Sequence, residues 1–412
     1  MENGNIITEL RKVLNEKIKH KVAGYDIKEE FSWEFVKELA PLGIWGIIFP
    51  KEYGGLGASH KTYLRVLEEL GAIDPSLALT VESHNSLAGN TINMFGSDEQ
   101  KKKYLVPMAK GEALGAWCLT EPESGSDAKS LKTKAEDKGD HWLLNGSKVF
   151  ITQGSVAKYY VIFAVTKAGT AGSGISVFVA ESGTPGLEIA KKEKKMGLRA
   201  SNTTQLDFMD MKIPKENLIG PLNRGFSAAM KVLDAGRVAI SGISLGIARA
   251  SIEHAINRAK LDLNWDPQLQ PSLLTPLPRG ERLGEGDEEN SAISEGSLFP
   301  SVGLTATQKT IADYASQLHA VRSLATQAAE LCESGDKSYS LQASMAKLLS
   351  GELAVSASTA MMDMFGEEAF LQSNAVGKLF RDSKLFTIGE GTSEVQRRII
   401  GKQLLADTEL LK

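Results

Sequence analysis

Near its C-terminal end the chain reads Phe386-Thr387-Ile388-Gly389-Glu390-Gly391-Thr392-Ser393, a lone carboxylate between two glycines. Flanking glycines let the backbone come close to a ligand and leave the carboxyl accessible. Apolar neighbours such as Phe386 and Ile388 disfavour the charged form and raise the pKa, which suits a general base near neutral pH. The same triplet also reads as a helix-capping turn with a solvated glutamate, and both readings of Glu390 stand at this point. Two further segments offer polar edges. Trp117-Cys118-Leu119-Thr120-Glu121-Pro122-Glu123-Ser124-Gly125-Ser126-Asp127 runs from a strand-like start into a proline-fixed corner and a Gly-Ser-Asp turn. Such corners present backbone N–H groups and hydroxyls, suited to the heteroatoms of a flat ring or to an acyl carbonyl. Val149-Phe150-Ile151-Thr152 ends a strand in an aromatic and a hydroxyl, and Phe150 taken alone reads as core.

These segments need elements to hold them. From Ile6 to Gly115 the pattern is helical, for example Trp33 to Ala40 and Lys61 to Leu70, with breaks at Pro41, Pro50 to Gly55 and Pro75. Between Ala116 and Gly220 it turns to alternating, β-branched runs at His141 to Leu144, Tyr159 to Val165, Ile175 to Ala180 and Thr204 to Phe208. Helical spacing returns after Gly225, with Ile240, Ile243, Ile247, Ile252 and Ile256 on one face and later helices from Thr307, Ser340 and Ser393. The expected fold is therefore α+β and multidomain. An N-terminal all-α domain (1–115) and a middle β-sheet or barrel domain (116–221) precede a C-terminal four-helix bundle (222–412). A proline-rich, acidic insertion at about 264–300 interrupts the bundle, functional or merely solvated.

Composition narrows the function. With 412 residues, 42% hydrophobic and 24% charged, core size is not limiting. Lys and Arg number 47 against 51 Asp and Glu, a net charge of -4, so nothing general favours nucleic acid or an anionic membrane. No apolar run is long enough to span a bilayer and no signal-like start precedes the first helix, so the expected location is cytoplasmic. Cys118 and Cys332 are too few for a disulfide framework or a thiolate metal site. His84, His254 and His319 show no metal-binding spacing, so no metal is expected. Gly54-Gly55-Leu56-Gly57 lacks the lysine and strand-to-helix setting of a phosphate loop and reads as a turn.

The sequence resembles the acyl-CoA dehydrogenase family at Thr120-Glu121-Pro122, Gly125-Ser126-Asp127, Phe150-Ile151-Thr152 and Glu390-Gly391-Thr392-Ser393, in order and in spacing. Pro50 to Gly57, Glu68-Glu69-Leu70-Gly71, Lys195 to Arg199 and Leu233-Asp234-Ala235-Gly236-Arg237 extend the likeness over nearly the whole chain. The resemblance implies an FAD-dependent oxidoreductase of fatty acid metabolism that removes two hydrogens from an acyl-CoA thioester. Glu390 would take the α proton. Relatives that draw the base from the helix after the sheet carry it where this chain has Gly236. Trp117, Leu119, Thr120, Ser126, Phe150, Ile151 and Thr152 would contact the flavin, with Gln308, Thr392 and Glu394 further along the dinucleotide. Ser126, Asp234, Arg237 and Gly391 would lie toward substrate, although Asp234 and Arg237 also read as a structural ion pair. An electron-transfer flavoprotein as acceptor and a homotetrameric or homodimeric assembly are implied in the same way.

The resemblance breaks on the ADP side of the cofactor. Lys260-Leu261-Asp262-Leu263-Asn264 replaces a family Arg-x-x-Phe-Gly whose arginine clamps the pyrophosphate, with only Arg279 or Arg282 of the insertion as substitutes. Asp363-Met364-Phe365-Gly366-Glu367, followed by Glu368, replaces Gln-x-x-Gly-Gly and brings carboxylates toward a dianion. These departures define the alternative expectation, a flavin-free, non-catalytic acyl-CoA binding protein on the same fold.

Overall fold

The computed structural model describes residues 3–169, 174–262, 306–372 and 374–411; the expected insertion at 264–300, with Arg279 and Arg282, lies outside the described residues. Helices α1 (Asn3–Val13), α2 (Val22–Lys28), α3 (Trp33–Leu39), α4 (His60–Ile73), α5 (Pro75–Glu82), α6 (Asn90–Phe95) and α7 (Asp98–Ala109) form the first part. Local chemistry sets their starts. Ser59 caps α4 through Thr62 N, and Asp74 caps α5 through Ser76 N with Pro75 in the first helical turn. Ser97 and Gln100 close a reciprocal capping box at α7. Between α5 and α6, Ser83–Gly89 winds as a wider turn of π-helix, every residue of it buried. Such widened turns recur at functional sites.

Eight strands follow: β1 (Gly115–Cys118), β2 (Lys134–Asp137), β3 (His141–Thr152), β4 (Tyr159–Val165), β5 (Ile175–Glu181), β6 (Leu187–Lys192), β7 (Thr203–Pro214) and β8 (Leu218–Ile219). They make one sheet ordered β6-β7-β3-β2-β4-β5-β8, with β1 laid parallel on β4. The order runs from β6 to β8 without joining its two ends, so the barrel option gives way to an open sheet. β4 and β5 are buried along all but their last residues, as expected from their unbroken apolar runs.

The last part comprises α8 (Gly225–Asp262), α9 (Ala306–Ser334), α10 (Tyr339–Phe365), α11 (Ala375–Ser383) and α12 (Ser393–Ala406). No helix of the described residues is long and apolar enough to cross a membrane. The N-terminal helices and the bundle share a core in which Leu67 and Leu70 of α4 meet Ile240, Ile243 and Ile247 of α8. Gly71 permits that crossing: a Cβ there would stand 2.7 Å from the Ile243 carbonyl oxygen. Beside it, Glu69 receives both Arg249 guanidinium nitrogens at 2.9 Å and Arg11 at 2.7 Å, while Arg322 of α9 donates to Glu68 at 2.8 Å. Burial opposes ionisation of Glu69, but the two arginines outweigh it and hold the carboxyl down at about 2. The stretch Glu68 to Gly71 thus locks α1, α4, α8 and α9 together.

Candidate active site

Glu390 sits in a loop held by its carbonyls. The backbone is left-handed at Glu390 (φ 55°) and at Gly391 (φ 98°), a conformation that costs a non-glycine residue roughly 1–3 kcal/mol unless its surroundings enforce it. They do. The buried Gln396 of α12 donates to the Glu390 carbonyl at 3.2 Å and the Gly391 carbonyl at 3.1 Å, and Lys347 of α10 donates to Gly391 at 2.6 Å. Thr392 then caps α12, its Oγ1 accepting from Val395 N at 3.3 Å. Both readings of the triplet therefore meet here, with the capping done by Thr392 and Glu390 turned inward.

The Glu390 carboxyl enters a crevice beside α8, near Lys347 of α10 and Glu82 at the end of α5, where Oε2 is shielded from solvent and meets, among the described residues, no donor other than the Glu82 carboxyl. It faces Gly236 of α8: a Cβ at that position would overlap Oε2 and stand 3.1 Å from Cδ. Of the apolar neighbours expected to dry it, Phe386 is buried, but Ile388 is 52% exposed and points away. Leu87 is the apolar neighbour on this side, its Cδ2 standing 3.3 Å from where a Gly236 Cβ would be. Burial raises the Glu390 pKa, against a hydrogen bond from Glu82 and the positive charges of Lys347 and Arg237. Burial also pulls the Lys347 ammonium down to about 8.

The two polar edges meet on the sheet. Val149 N donates to the Thr120 carbonyl at 2.9 Å, joining the corner after β1 to the end of β3. Between Lys148 and Ile151 the pairing of β3 with β7 slips, and Phe150 adopts φ 57° there with 67% of its surface exposed. Core burial, the expectation for Phe150 alone, is overturned by this bulge, which turns the ring outward. Ile151 is buried and pairs with Thr204, and Thr152 pairs with Thr203. The Trp117 ring packs edge-on to Phe163 and its Nε1 donates to Thr91 Oγ1 at 3.1 Å, so its side chain is committed to the interior. Leu119 is buried, whereas Thr120 is half-buried and Ser126 exposed. The turn holding Ser126 is closed by the Ser124 hydroxyl on the Asp127 carbonyl at 2.7 Å.

Below this edge lies an ion pair within the same corner motif. Lys148, fully buried, donates to Glu121 Oε1 at 2.6 Å and to the Leu119 carbonyl at 3.1 Å. Glu121 also accepts from Thr133 N at 3.1 Å. Removing one partner strands a buried charge. Lys148→Met is therefore expected to lower unfolding free energy by about 3–5 kcal/mol in urea titrations, with less loss in the double variant Glu121→Gln/Lys148→Met.

Asp234 and Arg237 pair with each other across one turn of α8, and Asp234 also accepts from Ser340 Oγ at 3.2 Å. The structural reading of the pair holds, yet Arg237 is buried and its Nε meets no partner. Gln308 is half-buried in the first turn of α9, and Glu394 is exposed in that of α12. Asp363 and Glu367 are exposed at the end of α10, and neighbouring Glu368 is paired with Arg258 of α8 at 2.7 Å. Glu390 and the Asp234–Arg237 pair thus gather at the α8–α10 crevice, while Thr120, Phe150, Ile151 and Thr152 gather on the sheet edge. A surface pocket of about 330 Å³ lined by Trp33, Ser155, Tyr160 and Leu187 holds none of these residues. Glu82, Lys347 and Gln396 are additions that sequence reasoning missed. The available signal was a charge set without a counter-charge in an apolar run, as in Leu77 to Glu82 and Ala346-Lys347-Leu348.

Models of the acyl-CoA dehydrogenase N-terminal, middle and C-terminal domains match residues 2–112, 116–211 and 302–405. A short-chain specific acyl-CoA dehydrogenase of Clostridium acetobutylicum is 37% identical over 96% of both chains. The chain belongs to the acyl-CoA dehydrogenase family. Family structures superpose on it closely. The butyryl-CoA dehydrogenase of Megasphaera elsdenii does so with a TM-score of 0.85 at 33% identity, covering 98% of each chain. A chain from a structure described as the electron transferring flavoprotein of Acidaminococcus fermentans reaches 0.86 at 34% identity, covering 99% of each. Acyl-CoA dehydrogenases are FAD-dependent oxidoreductases acting on CH–CH bonds, and these likenesses support that function rather than the flavin-free binder.

Proposed function

We propose that this acyl-CoA dehydrogenase oxidises a short-chain acyl-CoA thioester at its α and β carbons, with Glu390 as the base. The observation that carries the reading is the Glu390 carboxyl, shielded from solvent at Oε2 and held by a loop that its neighbours enforce. A carboxylate in such a setting is poised to take a proton from an acidified C–H. Lys347 and Arg237 favour its ionised form against the cost of burial. Ser126, Asp234, Arg237 and Gly391 are assigned to the substrate side. The short acyl length is carried over from the names of the relatives.

The residues present fit the ring half of FAD. Phe150, an exposed aromatic held on a left-handed backbone, offers a wall for a flat ring, and the linked Thr120 and Thr152 edges offer polar groups beside it. Trp117 and Leu119 would contribute through their backbones, with Ser126 and Ile151 completing the contact and Gln308, Thr392 and Glu394 further along the dinucleotide. Bound there, FAD supplies the acceptor for the β hydride. The ion pair of Glu368 with Arg258 leaves one less free carboxylate near the ADP half than the sequence suggests. An electron-transferring flavoprotein is the proposed reoxidant, in a homotetrameric or homodimeric assembly.

The protein incubated with FAD and titrated anaerobically with butyryl-CoA should be yellow and should bleach in its visible flavin band, on the order of one flavin per site. A protein that stays colourless with excess FAD would overturn the proposal.

A further inference from the structure

We propose that Glu82 is a positioning residue that keeps a proton at neutral pH and donates it as a hydrogen bond to the Glu390 carboxylate. The inference rests on Glu390 being the base and adds a second carboxyl to its setting. Glu82 ends α5, just before the widened turn Ser83–Gly89, and none of its surface reaches solvent. Neither of its oxygens meets a conventional donor in hydrogen-bonding geometry, and Oε2 of Glu390 is equally unprovided for. The two carboxyls lie within hydrogen-bonding reach of each other. A carboxyl–carboxyl contact of this kind needs one proton, because two anions so close in a dry crevice repel strongly.

The surroundings decide where the proton rests. The cationic groups that act on the pair, Lys347 from α10 and Arg237 from α8, face Glu390. Glu394 of α12 bears on Lys347 rather than on Glu82. Against Glu82 stand the Tyr63 hydroxyl of α4, itself hydrogen-bonded to Ser86 at 3.1 Å, and the Ser86 hydroxyl. Burial and the Glu390 charge drive Glu82 toward its neutral form and outweigh the Ser86 hydroxyl, which favours the anion, whereas Glu390 has cations to keep it ionised. Paired carboxyls pushed apart in this way assign acid and base between them. Glu82 is thus the proton holder, and its O–H restrains the basicity that burial alone would give Glu390.

The test compares the acidic limb of kcat/KM for the FAD-loaded enzyme with Glu82→Gln and Glu82→Leu. Glutamine keeps a donor, so its limb should stay within a few tenths of a pH unit of the parent. Leucine removes the donor and should move the limb up by roughly one pH unit. A downward shift in the leucine variant would mean that Glu82 is ionised, and coincident limbs in all three proteins would mean that it is uncoupled. Either result overturns the proposal. Infrared difference spectra at neutral pH give a readout free of turnover, which stands even if the leucine variant does not fold. The parent should show a protonated-carboxyl carbonyl band that the glutamine variant lacks, and identical spectra would refute the assignment. Failure of Glu390 as base is seen separately, as substrate bleaching that survives Glu390→Gln.

Discussion

Glu390→Gln should reduce kcat by roughly 10²- to 10⁴-fold while leaving KM and thermal stability nearly unchanged, since a positioned base contributes on that order. Glutamine has the same length and keeps the loop contacts, which run through the carbonyls of residues 390 and 391 to Gln396 and Lys347 and not through the side chain. What it cannot do is accept a proton. Glu82 is no substitute, because it is wholly buried at the end of α5 and, on the proposal above, already holds a proton. Stopped-flow bleaching of the flavin by butyryl-CoA measures the effect directly. Bleaching at the parent rate would remove Glu390 from the mechanism and leave the crevice without an assigned base.

The second large effect is expected at Gly236, where stability and activity should move in opposite directions. In the middle of a long helix, glycine to alanine usually stabilises by roughly 0.5–1 kcal/mol. Here the added Cβ would overlap Oε2 of Glu390, stand 3.1 Å from its Cδ and lie 3.3 Å from Leu87 Cδ2. The carboxyl must swing away, and a displacement on the order of 1 Å costs about 10²-fold in rate. Gly236→Ala should therefore melt no lower than the parent and lose about two orders of magnitude in kcat. A lower melting temperature with parental kcat would show that the helix, not the base, absorbs the clash.

Much of the framework could be read from the residues. The isoleucines from Ile240 to Ile256 marked α8, the apolar run Tyr159 to Val165 fell on β4 residue for residue, and Pro75 did separate α4 from α5. Two elements were missed. The nine-residue α11 is amphipathic but too short to stand out, and the exposed strand β6 carries too few apolar residues. The turn at Glu390 was legible because its flanking glycines mark a backbone need, a left-handed conformation at residues 390 and 391. The site was illegible where a residue acts through a distant neighbour. Glu82 and Glu390 are brought together only by packing α5 against α8, and no spacing encodes that. Phe150 misled because an aromatic at a strand end reads as core, while the slip in pairing between Lys148 and Ile151 turns the ring outward.

The mutual exclusion between a side chain at position 236 and the Glu390 carboxyl also constrains how such a protein can change. If the base is ever to migrate from the loop to α8, the two substitutions are not interchangeable in order. Placing a carboxylate on the helix first would crowd the proposed base, whereas losing the loop glutamate first empties the crevice but cuts turnover by orders of magnitude. Every single-step route thus crosses a poorly active intermediate, a fitness valley set by one missing Cβ. Base position should on this account behave as a lineage marker, changing rarely and only with both sites altered together.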